Sequence, residues 1–241
     1  MLRMLKNSMK SAARILTFLP YGLDPWNDVK RLSIALGKPI KIVLDVGANV
    51  GSTSGTLLKQ FDGCRVFAFE PHPPTFQKLL GNVSNHRFVP VQLALSDARG
   101  SQTFYEYEGE SVLNSLIPNA RFAQRFDRRA KELTVEKITV DDFCLQNHIE
   151  HIGILKIDTE GNDYAVLKGA SRMLSSRSID FIYFEFNDFV PKDGTTGGSL
   201  NEISAYLSEF GFRFVATYTD YIVTQGDMFV VANALMVRGN N

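Results

Sequence analysis

Cysteine is almost missing from this sequence. Cys64 and Cys144 are the only two, they lie far apart, and neither belongs to a CxxC pair or has a histidine at metal-ligand spacing. A disulfide framework and a thiolate zinc site are thereby excluded, and a reducing compartment is expected. No charge of one sign is in excess either, because Lys plus Arg and Asp plus Glu each number 26. That balance argues against a general nucleic-acid coating role and leaves room only for a local basic patch. Aromatic residues do not interleave with basic ones as they would in an RNA-binding appendage, so no nucleic-acid partner is expected. Long apolar runs are lacking, and nothing approaches the ~20 residues that span a bilayer. Lys10 and Arg14 interrupt the one N-terminal stretch that could serve as a secretion signal. The expectation is a cytoplasmic protein, at most peripheral to the inner face of the membrane. With no internal repeat and no low-complexity linker, one globular domain is expected at 39–241, behind an N-terminal helical extension at 1–38.

What is present is organised around residues 41–51 (KIVLDVGANVG). The β-branched and apolar residues 42–44 read as a buried strand that runs into Asp45 and a loop with Gly47, Ala48, Asn49 and Gly51. Residues 52–61 then start a helix. This layout lets backbone N–H groups and the positive end of a helix dipole meet an anionic or polar cofactor tail.

Upstream, Leu2, Leu5, Met9, Ala12, Leu16 and Leu19 share one side of a helix, with Arg3, Lys6, Lys10 and Arg14 on another. Such a helix packs on the domain or on a second subunit, as in a homo-oligomer, or else residues 1–20 rest on an anionic membrane surface. Asp24 and Pro25 read as the cap and first turn of a second helix, which Gly37 ends. Downstream the chain alternates: strands at 65–69, 87–95, 154–157 and 180–186, helices at 74–80, 164–174 and 200–210. Residues 103–107 suggest an added strand or hairpin, and 109–131 an insertion. Two strands, 212–223 and 228–237, close the chain with Gln225, Gly226 and Asp227 between them. Repeated βα units predict an α/β fold, Rossmann-like and doubly wound: a mostly parallel seven-stranded sheet with an antiparallel C-terminal strand and helices on both faces.

Ligands of such sheets sit at the carboxyl ends of the strands. Residues with chemistry to offer follow each strand here: 45–51, Glu70 and Pro71, 94–97, 158–161, and 185–188. The glycine loop lacks the middle glycine of GxGxxG, since Gly47 and Gly51 are spaced GxxxG. It suits a small group such as an amino-acid carboxylate better than a pyrophosphate. Glu70, ending the second strand, can accept hydrogen bonds from both hydroxyls of a ribose; its bland reading is a surface acid.

Six separated motifs then occur in order: LDVGANVG (44–51), FEP (69–71), LALSD (93–97), ITVDDF (138–143), LKIDTEGNDYAVLKGA (155–170) and FEFN (184–187). Over roughly 41–189 the sequence resembles the FkbM family of S-adenosylmethionine-dependent methyltransferases, within the class I methyltransferase fold. The resemblance implies S-adenosyl-L-methionine as cofactor and S-adenosyl-L-homocysteine as product. It implies that Gly47, Ala48, Asn49 and Gly51 hold the methionine part, with Asp45 among the cofactor contacts, and that Glu70 and Pro71 meet the ribose. Ala94, Leu95 and Ser96 would form the adenine edge, and Ser115 and Leu116 would lean over the cofactor from the insertion. His72 stands where the family often shows Asn and would border the ribose or adenine, unless it is a solvent-exposed loop residue. Asp158, Glu160 and Gly161 would lie beside the transferred methyl group, with Asp158 also among the cofactor contacts, and Glu185 and Asn187 would bind the acceptor.

Methyl transfer from a sulfonium is an in-line displacement, so positioning supplies much of the catalysis, and a hydroxyl acceptor also needs a base. Asp158 and Glu160 are the candidates for base and orienter. In the competing reading Glu160 caps the helix that starts near Asn162 and Asp158 binds the cofactor's amino group. Asp158, Glu160, Asp163 and Glu185 could also give oxygen ligands for Mg²⁺, but no spacing demands it and no metal is assigned. The connections 109–131 and 190–199 are expected to form the acceptor pocket or a lid. Arg121, Arg125, Arg128, Arg129 and Lys131 in the first either greet a phosphorylated or nucleotide-linked sugar or form the solvated face of a helix. The expectation is an O-methyltransferase acting on a hydroxyl of a small molecule, sugar or lipid-linked glycan precursor. The rival classes are a nucleotide-cofactor (NAD-type) oxidoreductase and a non-catalytic S-adenosylmethionine-binding module.

Overall fold

A computed structural model describes residues 20–107, 116, 130–186, 198–223 and 229–239. The whole of the expected N-terminal amphipathic helix, most of the 109–131 insertion with its arginines, Ser115, Asn187, most of 190–199 and the turn at 225–227 lie outside the described residues. In chain order the elements are α1 (Pro25–Leu36), β1 (Ile42–Val46), α2 (Ser52–Gln60), β2 (Arg65–Phe69), α3 (Pro73–Asn82), β3 (Phe88–Val91), β4 (Ala94–Leu95), β5 (Gly100–Glu106), β6 (Lys131–Ile138), α4 (Val140–Gln146), β7 (Ile152–Ile157), α5 (Asp163–Lys168), α6 (Ser171–Ser175), β8 (Ile179–Phe186), α7 (Leu200–Glu209), β9 (Phe212–Val223) and β10 (Phe229–Arg238).

Seven strands form the central sheet in the order β3-β2-β1-β7-β8-β10-β9. β3, β2, β1, β7 and β8 run parallel, and β10 is antiparallel to both of its neighbours. This is the doubly wound α/β sheet the alternation of elements predicted. β7 and β8 are buried along their whole length, as strands covered on both faces must be. One apolar cluster joins Leu44, Leu155, Ile157 and Phe184 to Phe143, Val166 and Leu207. On the other face Val43, Ile154 and Phe181 pack with Val29 of α1 and Leu57 of α2.

α1 is built as its sequence dictates. Asp24 accepts a hydrogen bond from the Asn27 N–H, proline opens the first turn, and Gly37 closes the helix in a left-handed conformation. Among the described residues, no helix is long and apolar enough to cross a membrane.

Three departures from the expected elements have local causes. The run 87–95 splits in two, because Val91 already pairs with Phe69, the last residue of β2, and beyond it the chain has no partner in the main sheet. Ala94 and Leu95 pair instead with Lys137 and Ile138 of β6, in a second sheet of order β4-β6-β5. β6 itself was not expected: half of its residues are exposed and it is rich in Lys and Glu, so no apolar run announces it. The expected helix at 164–174 is two short helices, α5 and α6. They part at Gly169, where a Cβ would stand 2.1 Å from the Ser96 carbonyl oxygen.

Candidate functional site

The carboxyl ends of β1, β2 and β7 enclose a cleft. It is lined by Val46, Gly47, Asn49, Phe69, Glu70, Pro71, Leu93, Ala94, Leu95, Phe104, Leu116, Asp158, Thr159, Glu160 and Asn162. The glycine loop is pressed onto the end of β7: a Cβ on Gly47, whose φ is +73°, would stand 1.8 Å from the Asp158 carbonyl oxygen. Only glycine fits at that approach.

The loop's N–H groups are already engaged within the protein. Gly47 and Ala48 both donate to the Phe69 carbonyl at 3.1 and 2.9 Å, and Gly51 donates to Ala48 at 2.9 Å. The Asn49 N–H donates to Glu70 Oε2 at 3.0 Å. The expected cradle of N–H donors facing an anionic tail is therefore absent at these four positions. Glu70 also accepts from the His72 N–H at 2.9 Å. Burial pushes its carboxyl up to about 7, against the pull of these two N–H groups and of Lys156.

Beneath the loop lies Lys156, fully enclosed in β7. Its Nζ is 3.0 Å from Asp45 Oδ1 and 3.6 Å from Asp158 Oδ2. It donates to the carbonyls of Val46 at 3.2 Å and Gly47 at 2.9 Å. Burial alone would pull the lysine down, but Asp45 and Asp158 outweigh it and hold the ammonium charged. Asp45 accepts a further bond, at 2.6 Å, from the Ser54 hydroxyl.

Across the cleft, ligand atoms of Asp158, Glu160 and Glu185 all lie within 4.8 Å of one another. Glu160 sits in the left-handed region, φ 54°, just before the positive-φ Gly161. Asp163, the fourth carboxylate of the expected set, is engaged elsewhere. Its Oδ2 accepts from the Thr159 N–H at 3.2 Å and the Thr159 hydroxyl at 2.6 Å, and its Oδ1 from the Glu185 N–H at 3.1 Å. It braces the β7 loop against the end of β8. Burial holds its carboxyl above the usual range, with the Thr159 hydroxyl opposing.

Of the residues singled out in the sequence, Gly47, Asn49, Glu70, Pro71, Ala94, Leu95, Leu116, Asp158 and Glu160 line the cleft together. Others face elsewhere. Asp45 lies behind the loop with Lys156, and Ala48 packs with Ala68 and Leu79. A Cβ on Gly51 would meet Val83 and Leu79 at 2.6 and 2.7 Å, so this glycine serves the contact with α3. Ser96 is buried and donates its N–H to Ile138.

His72 is no exposed loop residue. It is buried, its ring nitrogens lie 2.8 Å from the Thr75 hydroxyl and 3.3 Å from Glu106, and it stacks on the cleft residue Phe104. Burial lowers its pKa, with Glu106 opposing.

Sequence reasoning passed over Lys156 and the brace at Asp163. It also passed over Asn162, whose amide holds the Leu95 carbonyl at 3.0 Å, and Asn233, buried opposite Glu185 in the β10–β8 register. A signal existed for Lys156 and Asn233, since each is a polar residue inside an otherwise apolar strand.

The signature of the family described as "Methyltransferase FkbM domain" matches residues 45–214. The hexuronic acid methyltransferase AglP of Haloferax volcanii is 28% identical over 185 residues, 76% of this chain and 71% of that protein. The 31-O-demethyl-FK506 methyltransferase FkbM of Streptomyces tacrolimicus is 26% identical over 203 residues, covering 74% of this chain and 75% of its own. The 2-O-methyltransferase NoeI of Sinorhizobium fredii is 27% identical over 165 residues, 64% of this chain and 66% of its own.

Proposed function

We propose, from the premise that this chain belongs to the FkbM family of methyltransferases, that it moves a methyl group from S-adenosyl-L-methionine to a hydroxyl of a small molecule or saccharide. The observation that carries this reading is the charge and donor state of the cleft. A pyrophosphate calls for free N–H donors and cations. Here the N–H groups of Gly47, Ala48, Asn49 and Gly51 have protein acceptors. The ionisable residues in the lining, among the described residues, are the acids Glu70, Asp158 and Glu160. S-adenosyl-L-methionine, whose sulfonium and α-ammonium outweigh its one carboxylate, is complementary to that lining, whereas an NAD-type dinucleotide with its pyrophosphate is not.

When bound, S-adenosyl-L-methionine supplies a methyl group on a positively charged sulfur, ready for in-line attack. Glu70 holds the ribose hydroxyls with the acceptor capacity its two N–H contacts leave over. Pro71, Ala94, Leu95 and Phe104 give the adenine an apolar slot. Asp158 and Glu160 face the acceptor, one taking the hydroxyl proton and the other orienting it. Glu185, close beside them, binds a second polar group of the acceptor. O-methylation is the chemistry named for FkbM and NoeI, and the acid cluster gives this chain the base that such an acceptor needs.

A second reading has one observation in its favour. Three carboxylates as close as Asp158, Glu160 and Glu185 offer the oxygen ligands that Mg²⁺ takes, without Asp163. One experiment addresses both readings: labelled-methyl transfer over a panel of sugars, nucleotide sugars and lipid-linked glycans, with and without EDTA. Label in a hydroxyl-bearing acceptor, unaffected by EDTA, is expected. Label in none of them contradicts the reading, and activity lost to EDTA and regained with Mg²⁺ favours the metal.

A further inference from the structure

We propose that Lys156 is a positioning residue of the cofactor cleft, fixing the glycine loop and Asp158 against each other from below; the inference rests on the methyltransferase reading above. Every residue of β7 (IGILKI) is buried. A lysine is among the side chains least often enclosed, and enclosing one is costly unless it is fully paired. Here the pairing is more than neutralisation. The ammonium donates to Gly47 O at 2.9 Å and Val46 O at 3.2 Å, and it pairs by charge with Asp45 Oδ1 at 3.0 Å. Asp158 Oδ2, at 3.6 Å, is held by charge.

Holding the Gly47 carbonyl sets the plane of the 47–48 peptide. The Ala48 N–H on the opposite side of that peptide is thereby directed to Phe69, and the Gly47 Cα is kept against the Asp158 backbone. One side chain thus registers β1, the glycine loop and the acid that follows β7. Neutralising Asp45 would require only one of these contacts. A buried ion pair is a weak device for stability, and apolar residues of similar volume often replace one without loss. What a lysine does here and methionine cannot is grip two carbonyls and two carboxylates at once.

The test is isothermal titration of the full chain with S-adenosyl-L-homocysteine, with thermal unfolding of the free protein alongside. It compares wild type, Lys156→Met, the pair Lys156→Met/Asp45→Asn, and Lys156→Arg. Lys156→Met strands the Asp45 charge, so both the unfolding temperature and the affinity should fall. The pair removes that charge, and the unfolding temperature should largely recover while affinity stays about tenfold or more below wild type. Lys156→Arg keeps the charge but changes the donor geometry, and its affinity should also fall, which covers the case in which the methionine variants do not fold. Wild-type affinity in the pair or in Lys156→Arg overturns the inference and leaves Lys156 as a counter-ion. If wild type itself does not bind S-adenosyl-L-homocysteine, the functional reading fails instead, and the two failures are distinct.

Discussion

The sheet carries a buried ion cluster at each end, and the two are built to opposite rules. At the amino ends of β7 and β8, one carboxylate is surrounded by bases. Asp180 Oδ1 meets Lys38 at 2.8 Å and Arg238 at 3.0 Å, and Oδ2 meets His151 at 2.6 Å. Burial would raise the Asp180 carboxyl, but its hydrogen bonds with Lys38 and His151 bring it below the usual range. At the carboxyl ends one base, Lys156, serves both Asp45 and Asp158, and Glu70 and Glu160 line the same cleft. The lower cluster uses up its one acid internally. The upper cluster leaves acidic groups facing a cavity, and that imbalance separates a site from a brace.

Breaking the lower cluster should have the largest effect, and on stability. Asp180→Ala leaves the neighbouring bases without their carboxylate and should cost about 3–5 kcal/mol, read from the urea midpoint. The affinity of the folded variant for S-adenosyl-L-homocysteine should not change; a parallel fall would mean that the two clusters are not independent. Breaking the upper site should do the reverse. Glu70→Gln keeps one of the two oxygens that accept from the Asn49 and His72 N–H groups, so it should weaken that affinity by roughly 1–3 kcal/mol in titration calorimetry while lowering the urea midpoint far less than Asp180→Ala does. Unaltered affinity would remove Glu70 from the ribose.

The smallest effect sharpens the contrast by pH. Glu70 titrates near 7 in the folded chain and near ~4.3 unfolded. Its contribution to stability is therefore full below the unfolded value and lost as pH rises through about 7. Cofactor binding should run the other way, because the ionised carboxylate is the better acceptor. Affinity should rise by up to about tenfold between about pH 6 and pH 8 and be flat in Glu70→Gln. Asp180, with its depressed pKa, contributes stability that is lost only as pH falls through that low value, so it stays silent over the same range.

Much of the upper site was legible because its motifs are short and follow strands. The turn from β1, Glu70 after β2, and Asp158 with Glu160 after β7 were each visible locally, and the carboxyl-end rule brought them together. What escaped is non-local. Nothing in residues 41–51 says that the acceptor for the Gly47 and Ala48 N–H groups is Phe69 on another strand. Nor does the loop pattern reveal that Ala48 and Gly51 turn toward α3 while Gly47 and Asn49 turn toward the cleft. Lys156 was visible as a charge in an apolar strand, but its partners come from β1 and the loop. In the fold, β6 was missed because a strand with one solvated face and many charges lacks an apolar run. The helix break at Gly169 depends on a carbonyl from the Ser96 loop.

If the cleft at the ends of β1, β2 and β7 takes the adenosyl and amino-acid scaffold of S-adenosyl-L-methionine, it should bind the demethylated product and refuse a dinucleotide. Side-by-side titration of the full chain with S-adenosyl-L-homocysteine and with NAD⁺ tests it most directly. Saturable binding of S-adenosyl-L-homocysteine with no measurable binding of NAD⁺ is the result expected. Binding of NAD⁺ alone would contradict it.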